Sequence, residues 1–308
     1  MFTTILIFAA SLFVLIFASN KFIDSAETIG LSLGISPFVI GVTLVAFGTS
    51  LPELTTSILA VLGGTSEIVV GNVVGSNITN ILLVLGLTAL AVGTLKIERD
   101  IMKEEVPLLL GSAILLWFAI RDGSFSRIES LIFIAGLLGF LLYTIREKEE
   151  GTRKGAKAGW LNYVILIAAG VAIYFGASYT VSSIEEMALL FNINPSIVSL
   201  SLLALGTSLP EVVVSMSAAR KGKHSLAIGN VIGSNMFNTY AVMAIPSFFG
   251  DIVIPDSVIS FSLPFMLATT IIFIIVTFSK EVSLWKAGML VSFYIFFLAE
   301  LFKLSFVS

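Results

Sequence analysis

The 308-residue chain has no cysteine, a single histidine, and charged side chains at only 12% of its positions. The first absence removes disulfides, thiolate metal sites and thiol nucleophiles together. The lone His224 lies among Arg220, Lys221 and Lys223, where a solvated loop is expected, so a multi-histidine zinc site is excluded. A net charge of −3 offers no basic face to nucleic acid. So few charges cannot cover a soluble globule of this length, and 57% hydrophobic residues with a mean hydropathy of +1.04 mark an integral membrane protein.

With about 20 apolar residues to a bilayer crossing, the sequence divides into ten spans, at roughly 3–22, 36–62, 67–92, 104–120, 127–145, 160–180, 194–219, 225–248, 257–279 and 284–304. No alternating barrel pattern occurs, and backbone groups in lipid must be satisfied internally, so the fold class is all-α. The mixed segments Phe22 to Leu33 and Val181 to Phe191 extend the first and sixth helices before Pro37 and Pro195 start new ones. No basic leading region precedes the first span, which is expected to be a mature helix and not a signal peptide. Lysines and arginines from Lys21 through the 147–159 segment to Lys280 and Lys286 crowd one face, leaving Arg121, Arg127 and Lys303 on the other. The positive-inside rule makes the crowded face cytoplasmic and puts both termini outside. The charged linker 147–159 then joins two five-helix halves, 1–146 and 160–308. Five is odd, so the second half enters from the opposite side, as an inverted-topology repeat.

The sequence also repeats. Gly48-Thr49-Ser50-Leu51-Pro52-Glu53 returns as Gly206-Thr207-Ser208-Leu209-Pro210-Glu211, and Gly71-Asn72-Val73-Val74-Gly75-Ser76-Asn77-Ile78-Thr79-Asn80 as Gly229 through Asn238, each matched residue 158 positions on. Pro52 and Pro210 lack the amide that would bond the carbonyls of Gly48 and Gly206, so each helix is expected to break there. Freed carbonyls in a membrane need protein, water or an ion. Thr49 and Ser50 fall four and three residues before Glu53 and share its helical face, as Thr207 and Ser208 share that of Glu211. Asn72, Ser76 and Asn80 form a polar stripe repeated by Asn230, Ser234 and Asn238, while Gly71, Gly75, Gly229 and Gly233 admit a close backbone. All the candidate ligands are oxygens, which suit Ca2+, Mg2+ or Na+ and disfavour zinc or copper.

Any one of these features alone has a structural explanation, since Gly-xxx-Gly, proline kinks and asparagine glue are ordinary helix packing. Glu53 and Glu211 change the balance. A mid-membrane carboxylate costs about 3 kcal/mol or more on insertion scales, and no Lys or Arg falls mid-span to neutralise it. A transported cation is the expected counter-charge. Asp24, Glu27, Glu185 and Glu186 lie near span ends and read as interfacial, as do Glu67 and Glu300. The 25 phenylalanines read as lipid-facing and interhelical packing.

These paired G-T-S-L-P-E and G-N-x-x-G-S-N-x-x-N blocks in a five-plus-five arrangement resemble the cation/calcium antiporter superfamily, in particular its prokaryotic sodium/calcium exchangers. The resemblance implies Na+-driven Ca2+ exchange by alternating access, with the first and sixth helices sliding across a compact body. It carries over as ion ligands Thr49, Ser50, Glu53, Ser76 and Asn80, then Thr207, Ser208, Glu211, Ser234 and Asn238, completed by the carbonyls of Ala46 and Ala204. Some members have Asp at the position of Asn238, so this chain has two central carboxylates instead of three. No cofactor is expected. The partners are Ca2+ and Na+ as substrates and the lipid bilayer, and the sequence leaves the oligomeric state open. Beside the leading reading stand a Ca2+/H+ antiporter, a K+-dependent Na+/Ca2+ exchanger and, from another class, a cation channel. An intramembrane hydrolase lacks a nucleophile with its base.

Overall fold

In a computed structural model that describes residues 2–146, 157–190 and 206–307, the chain is almost wholly helical. Among the described residues, seven helices are long and apolar enough to cross a membrane: Thr3–Ser32, Pro37–Leu62, Glu67–Val92, Arg127–Thr144, Trp160–Ile184, Val258–Thr277 and Leu284–Leu301. Glu105–Ile120 is apolar but shorter. The first part of the expected seventh span, with Pro195 and Ala204, lies outside the described residues, as does most of the linker 147–159.

Two layers follow from burial. The helices Phe2–Ser32 and Trp160–Leu190, 31 residues each, run on past the bilayer length as expected and pack against one another. Ser11 receives a hydrogen bond from Thr180 at 2.9 Å between them. Only 28% of the apolar window is buried in each, and Phe13, Phe17 and Ile167 project outward, as lipid-facing side chains do. The window of Glu67–Val92 is 83% buried, which makes it the centre of the body.

Around that centre the helices are broken at matching places. Ser36 caps the helix that begins at Pro37, accepting from the Val39 amide at 3.4 Å. After a π-helical turn at Gly41–Val45, the helix stops at Ser50 (φ −90°, ψ 7°) and restarts at Leu51, with Pro52 in its first turn. Ser208 takes nearly the same angles (φ −87°, ψ 4°) ahead of Leu209–Arg220. The proline breaks are therefore present: one residue, Ser50, in the first half, and the turn residues Thr207 and Ser208 in the second. The helices Glu67–Thr79 and His224–Phe237 each pass into a π turn, Asn80–Val84 and Asn238–Val242.

Gly229 and Gly233 do admit a backbone. A Cβ on either would stand 2.4 Å from the Phe38 carbonyl oxygen or 2.3 Å from that of Val42, so His224–Phe237 lies directly on the 37–46 segment. At Gly71 and Gly75 nothing described stands within 4 Å of such a Cβ.

One expectation is corrected. His224 is half-buried and opens a helix instead of sitting in a solvated loop, because the turn at Gly222 (φ 76°) already ends before it. Outside the spans, Thr94–Lys96 pairs antiparallel with Glu281–Ser283, burying Leu95 opposite Val282 and tying the end of the third span to the start of the last. Asp24 and Glu27, read as interfacial, are held by lysines of the 220–223 turn. Lys221 reaches Asp24 at 2.8 Å, and Lys223 reaches Asp24 at 3.0 Å and Glu27 at 2.7 Å. Burial pulls the Lys223 ammonium down, but the hydrogen bonds and charges of Glu27 and Asp24 outweigh it and leave its pKa above the usual lysine value.

Candidate functional site

The two helix breaks meet inside the body. Ser50 donates to a Glu211 carboxylate oxygen at 3.0 Å, which sets the break three residues before Glu53 against the other half's carboxylate. Thr49 donates to the Asn230 amide oxygen at 3.2 Å and stands 3.5 Å from the Ser234 hydroxyl. The mirror contacts are also made. Thr207 donates to the Asn72 amide oxygen at 3.3 Å and stands 3.4 Å from the Ser76 hydroxyl. Each half thus places its threonine on the other half's polar stripe.

Burial is nearly complete. Ala46, Thr49, Ser50, Glu53, Ser76, Asn80, Ser208, Glu211, Ser234 and Asn238 are all buried, and Thr207 is half-buried. The π turn that Asn80 opens packs against the helix carrying Glu211, and the one that Asn238 opens packs against the helix carrying Glu53. π turns recur at functional sites because the extra residue re-aims a side chain inward. The Ala46 carbonyl accepts the Ser50 amide at 3.0 Å and stands 3.3 Å from the Thr49 hydroxyl oxygen.

The hydrogen bonding is incomplete where it matters most. Both carboxylate oxygens of Glu53, Oε2 of Glu211, the hydroxyl of Ser208 and both amide atoms of Asn80 and Asn238 are buried with no hydrogen-bond partner among the described residues. Leaving a buried polar group unmade costs about 1–3 kcal/mol, and more for a charged one. So many unpartnered polar atoms lie in one dry place. A hard cation satisfies carboxylate, hydroxyl and amide oxygens together, which no side chain here does.

The polar stripes hold two pairs that the repeat contains but motif reading passed over. Asn72 donates to the Ser57 hydroxyl at 3.0 Å and to the Glu53 carbonyl at 3.1 Å, and Asn230 donates to the Ser215 hydroxyl at 2.9 Å. Ser57 and Ser215 are themselves 158 residues apart, the signal that could have found them. A further cross-half bond runs from Asn77 to Thr239 at 2.9 Å.

Comparison with known proteins agrees with this geometry. The family model described as "Sodium/calcium exchanger protein" matches twice, over residues 3–146 and 161–303. The sodium/calcium exchanger MaX1 of Methanosarcina acetivorans is 34% identical over 96% of this chain and 98% of its own. The inner membrane protein YrbG of Escherichia coli is 31% identical over 77% of each. Among solved structures, the sodium-calcium exchanger NCX_Mj, soaked with Na+ and Sr2+, superposes with a TM-score of 0.84 at 27% identity, over 96% of this chain and 97% of that one. With both halves matched and relatives similar over nearly its whole length, the chain belongs to the sodium/calcium exchanger family.

Proposed function

We propose that this protein is a secondary antiporter that exchanges Na+ for Ca2+ across the cell membrane by alternating access. It crosses ten times as two inverted-topology repeats, 1–146 and 160–308, with the linker 147–159 cytoplasmic and both termini outside. The pairing of Lys221 and Lys223 with Asp24 and Glu27 supports this arrangement, since it sets the end of the first helix beside the turn between the seventh and eighth spans. The ions sit between Glu53 and Glu211, with Ala46, Thr49, Ser50, Ser76, Asn80, Ala204, Thr207, Ser208, Ser234 and Asn238 supplying neutral oxygens.

The single observation that carries this reading is the Glu53 carboxylate, fully buried with neither oxygen partnered among the described residues. A carboxylate so placed needs a cation. Two carboxylates balance one Ca2+ or two Na+, which makes occupancy by the two ions mutually exclusive and couples their movement. A third Na+ held by neutral oxygens adds uncompensated charge and makes the cycle electrogenic.

Radiolabelled Ca2+ flux into proteoliposomes, with Na+, K+ and H+ gradients imposed one at a time, tests it. Uptake driven by a Na+ gradient alone is expected. A strict requirement for K+ would give the K+-dependent exchanger, and uptake driven by H+ without Na+ the Ca2+/H+ antiporter. Ca2+ movement that needs no counter-ion would make the protein a channel.

A further inference from the structure

The amide of Asn72 is not free to turn, and that of Asn230 is held at both ends. At Asn72 the NH2 group donates to the Glu53 backbone carbonyl and to Ser57, while its oxygen accepts from Thr207 at 3.3 Å and from Ser76 at 3.4 Å. A backbone carbonyl has no proton to give, so a flipped amide would set oxygen against oxygen there. At Asn230 the NH2 group donates to Ser215 and the oxygen accepts from Thr49. Ser57, Asn72, Ser215 and Asn230 are all buried, and both serines lie one helical turn beyond their glutamates. The same relay, serine to asparagine to the opposite half's threonine, is built twice.

A hydroxyl has one proton and two acceptor lone pairs. With its proton committed to the asparagine oxygen, each threonine turns oxygen lone pairs to whatever lies between the glutamates. At Thr49 the competing acceptor is the Ala46 carbonyl at 3.3 Å. Once the Asn230 oxygen swings away, the Thr49 proton moves there and takes up a lone pair of that carbonyl as well.

We propose that Ser57 and Ser215 are positioning residues for ion binding. They accept from the Asn72 and Asn230 NH2 groups, Asn72 having the Glu53 carbonyl as a second anchor, and so keep each amide oxygen on its threonine, which aims the Thr207 and Thr49 hydroxyl oxygens at the cation without touching it themselves. This rests on the reading of Glu53 and Glu211 as the ion site. It adds that cation affinity is set one layer behind the ligands, by two serines that an ion never meets.

The test uses the full chain in proteoliposomes and in detergent, as wild type and with Ser57→Ala, Ser57→Thr, Ser57→Cys, the same three changes at Ser215, and Glu53→Gln. Ser→Ala at either position is expected to raise the KM for Ca2+ about tenfold, the equivalent of one hydrogen bond supporting a charged ligand. The maximal rate should change much less. Ca2+-dependent thermal stabilisation in detergent should weaken in parallel. Ser→Thr keeps the hydroxyl and should restore the wild-type KM, which a mere packing role would not do. Unchanged KM in the folded alanine variants, or threonine variants as impaired as alanine, overturns the proposal. Should the alanine variants not fold, the near-isosteric cysteine variants decide it, because their weak thiol must raise KM. If Glu53→Gln abolishes Ca2+ stabilisation while the serine variants bind as wild type, this inference alone falls. If Glu53→Gln binds Ca2+ normally, the site reading falls with it.

Discussion

Glu53→Gln should abolish Ca2+ exchange while making the ion-free protein more stable, two effects of opposite sign from one substitution. Glu53 is fully buried and neither carboxylate oxygen has a hydrogen-bond partner among the described residues. Without an ion, the neutral amide removes the cost of a buried carboxylate with no hydrogen-bond partner, so the thermal midpoint should rise. With Ca2+ bound, the same change strips one of two balancing charges from a dry site. Breaking a buried charge pair costs about 3–5 kcal/mol, or about two to four powers of ten in affinity. At a Ca2+ concentration about 100 times the wild-type Kd, binding stabilises the wild type by about 2.7 kcal/mol. A thousandfold weaker variant should gain almost nothing. Thermal unfolding in detergent with and without Ca2+, beside flux in proteoliposomes, reads both halves of the prediction. A Glu53→Gln protein that keeps wild-type Ca2+ stabilisation would refute the reasoning, whatever its midpoint.

Three further outcomes follow from other parts of the molecule. Asn238→Asp places a third acid in the cluster and should give Ca2+ uptake a new inhibition on the acid side, since a proton held there competes with the cation; a flat pH profile would remove Asn238 from the site. Lys223→Ala loses its pairs with Asp24 and Glu27, and because Asp24 is half exposed the cost should be no more than about 1 kcal/mol and should shrink in high salt. The folded pKa of Lys223 is raised, so the advantage of wild type over this variant should be whole below the ordinary lysine value of 10.5 and fade as pH climbs through the higher folded one. Gly233→Ala sets a Cβ 2.3 Å from the Val42 carbonyl and should lower stability by about 1–3 kcal/mol or more, whereas Gly139→Ala, with nothing within 4 Å, should leave the thermal midpoint unchanged or raised.

The site was legible in the sequence because duplication wrote it twice: the fixed offset singled out Thr49, Glu53 and Asn80 with their mates, and the structure brings their segments together. Helix type was legible because lipid permits little else. What escaped has common physical causes. Ser57 and Ser215 sit among residues that differ between the halves, so block matching passed over them although their spacing is the same. The π turns at Asn80 and Asn238 depend on which carbonyl an amide chooses, and no side-chain pattern encodes that choice. The pairing of 94–96 with 281–283, and the grip of Lys221 on Asp24 some 200 positions away, depend on tertiary approach between segments whose local sequences carry no mark of it.

The crossed threonine–asparagine bonds have a consequence for how such a chain can change over generations. Thr49 answers to Asn230 and Thr207 to Asn72, so neither copy of the duplicated segment keeps its own hydroxyl in place. A replacement tolerated by its neighbours in sequence is still judged by an atom in the sister copy. At these positions the two copies cannot drift apart independently, and selection sees a single inherited unit folded back upon itself.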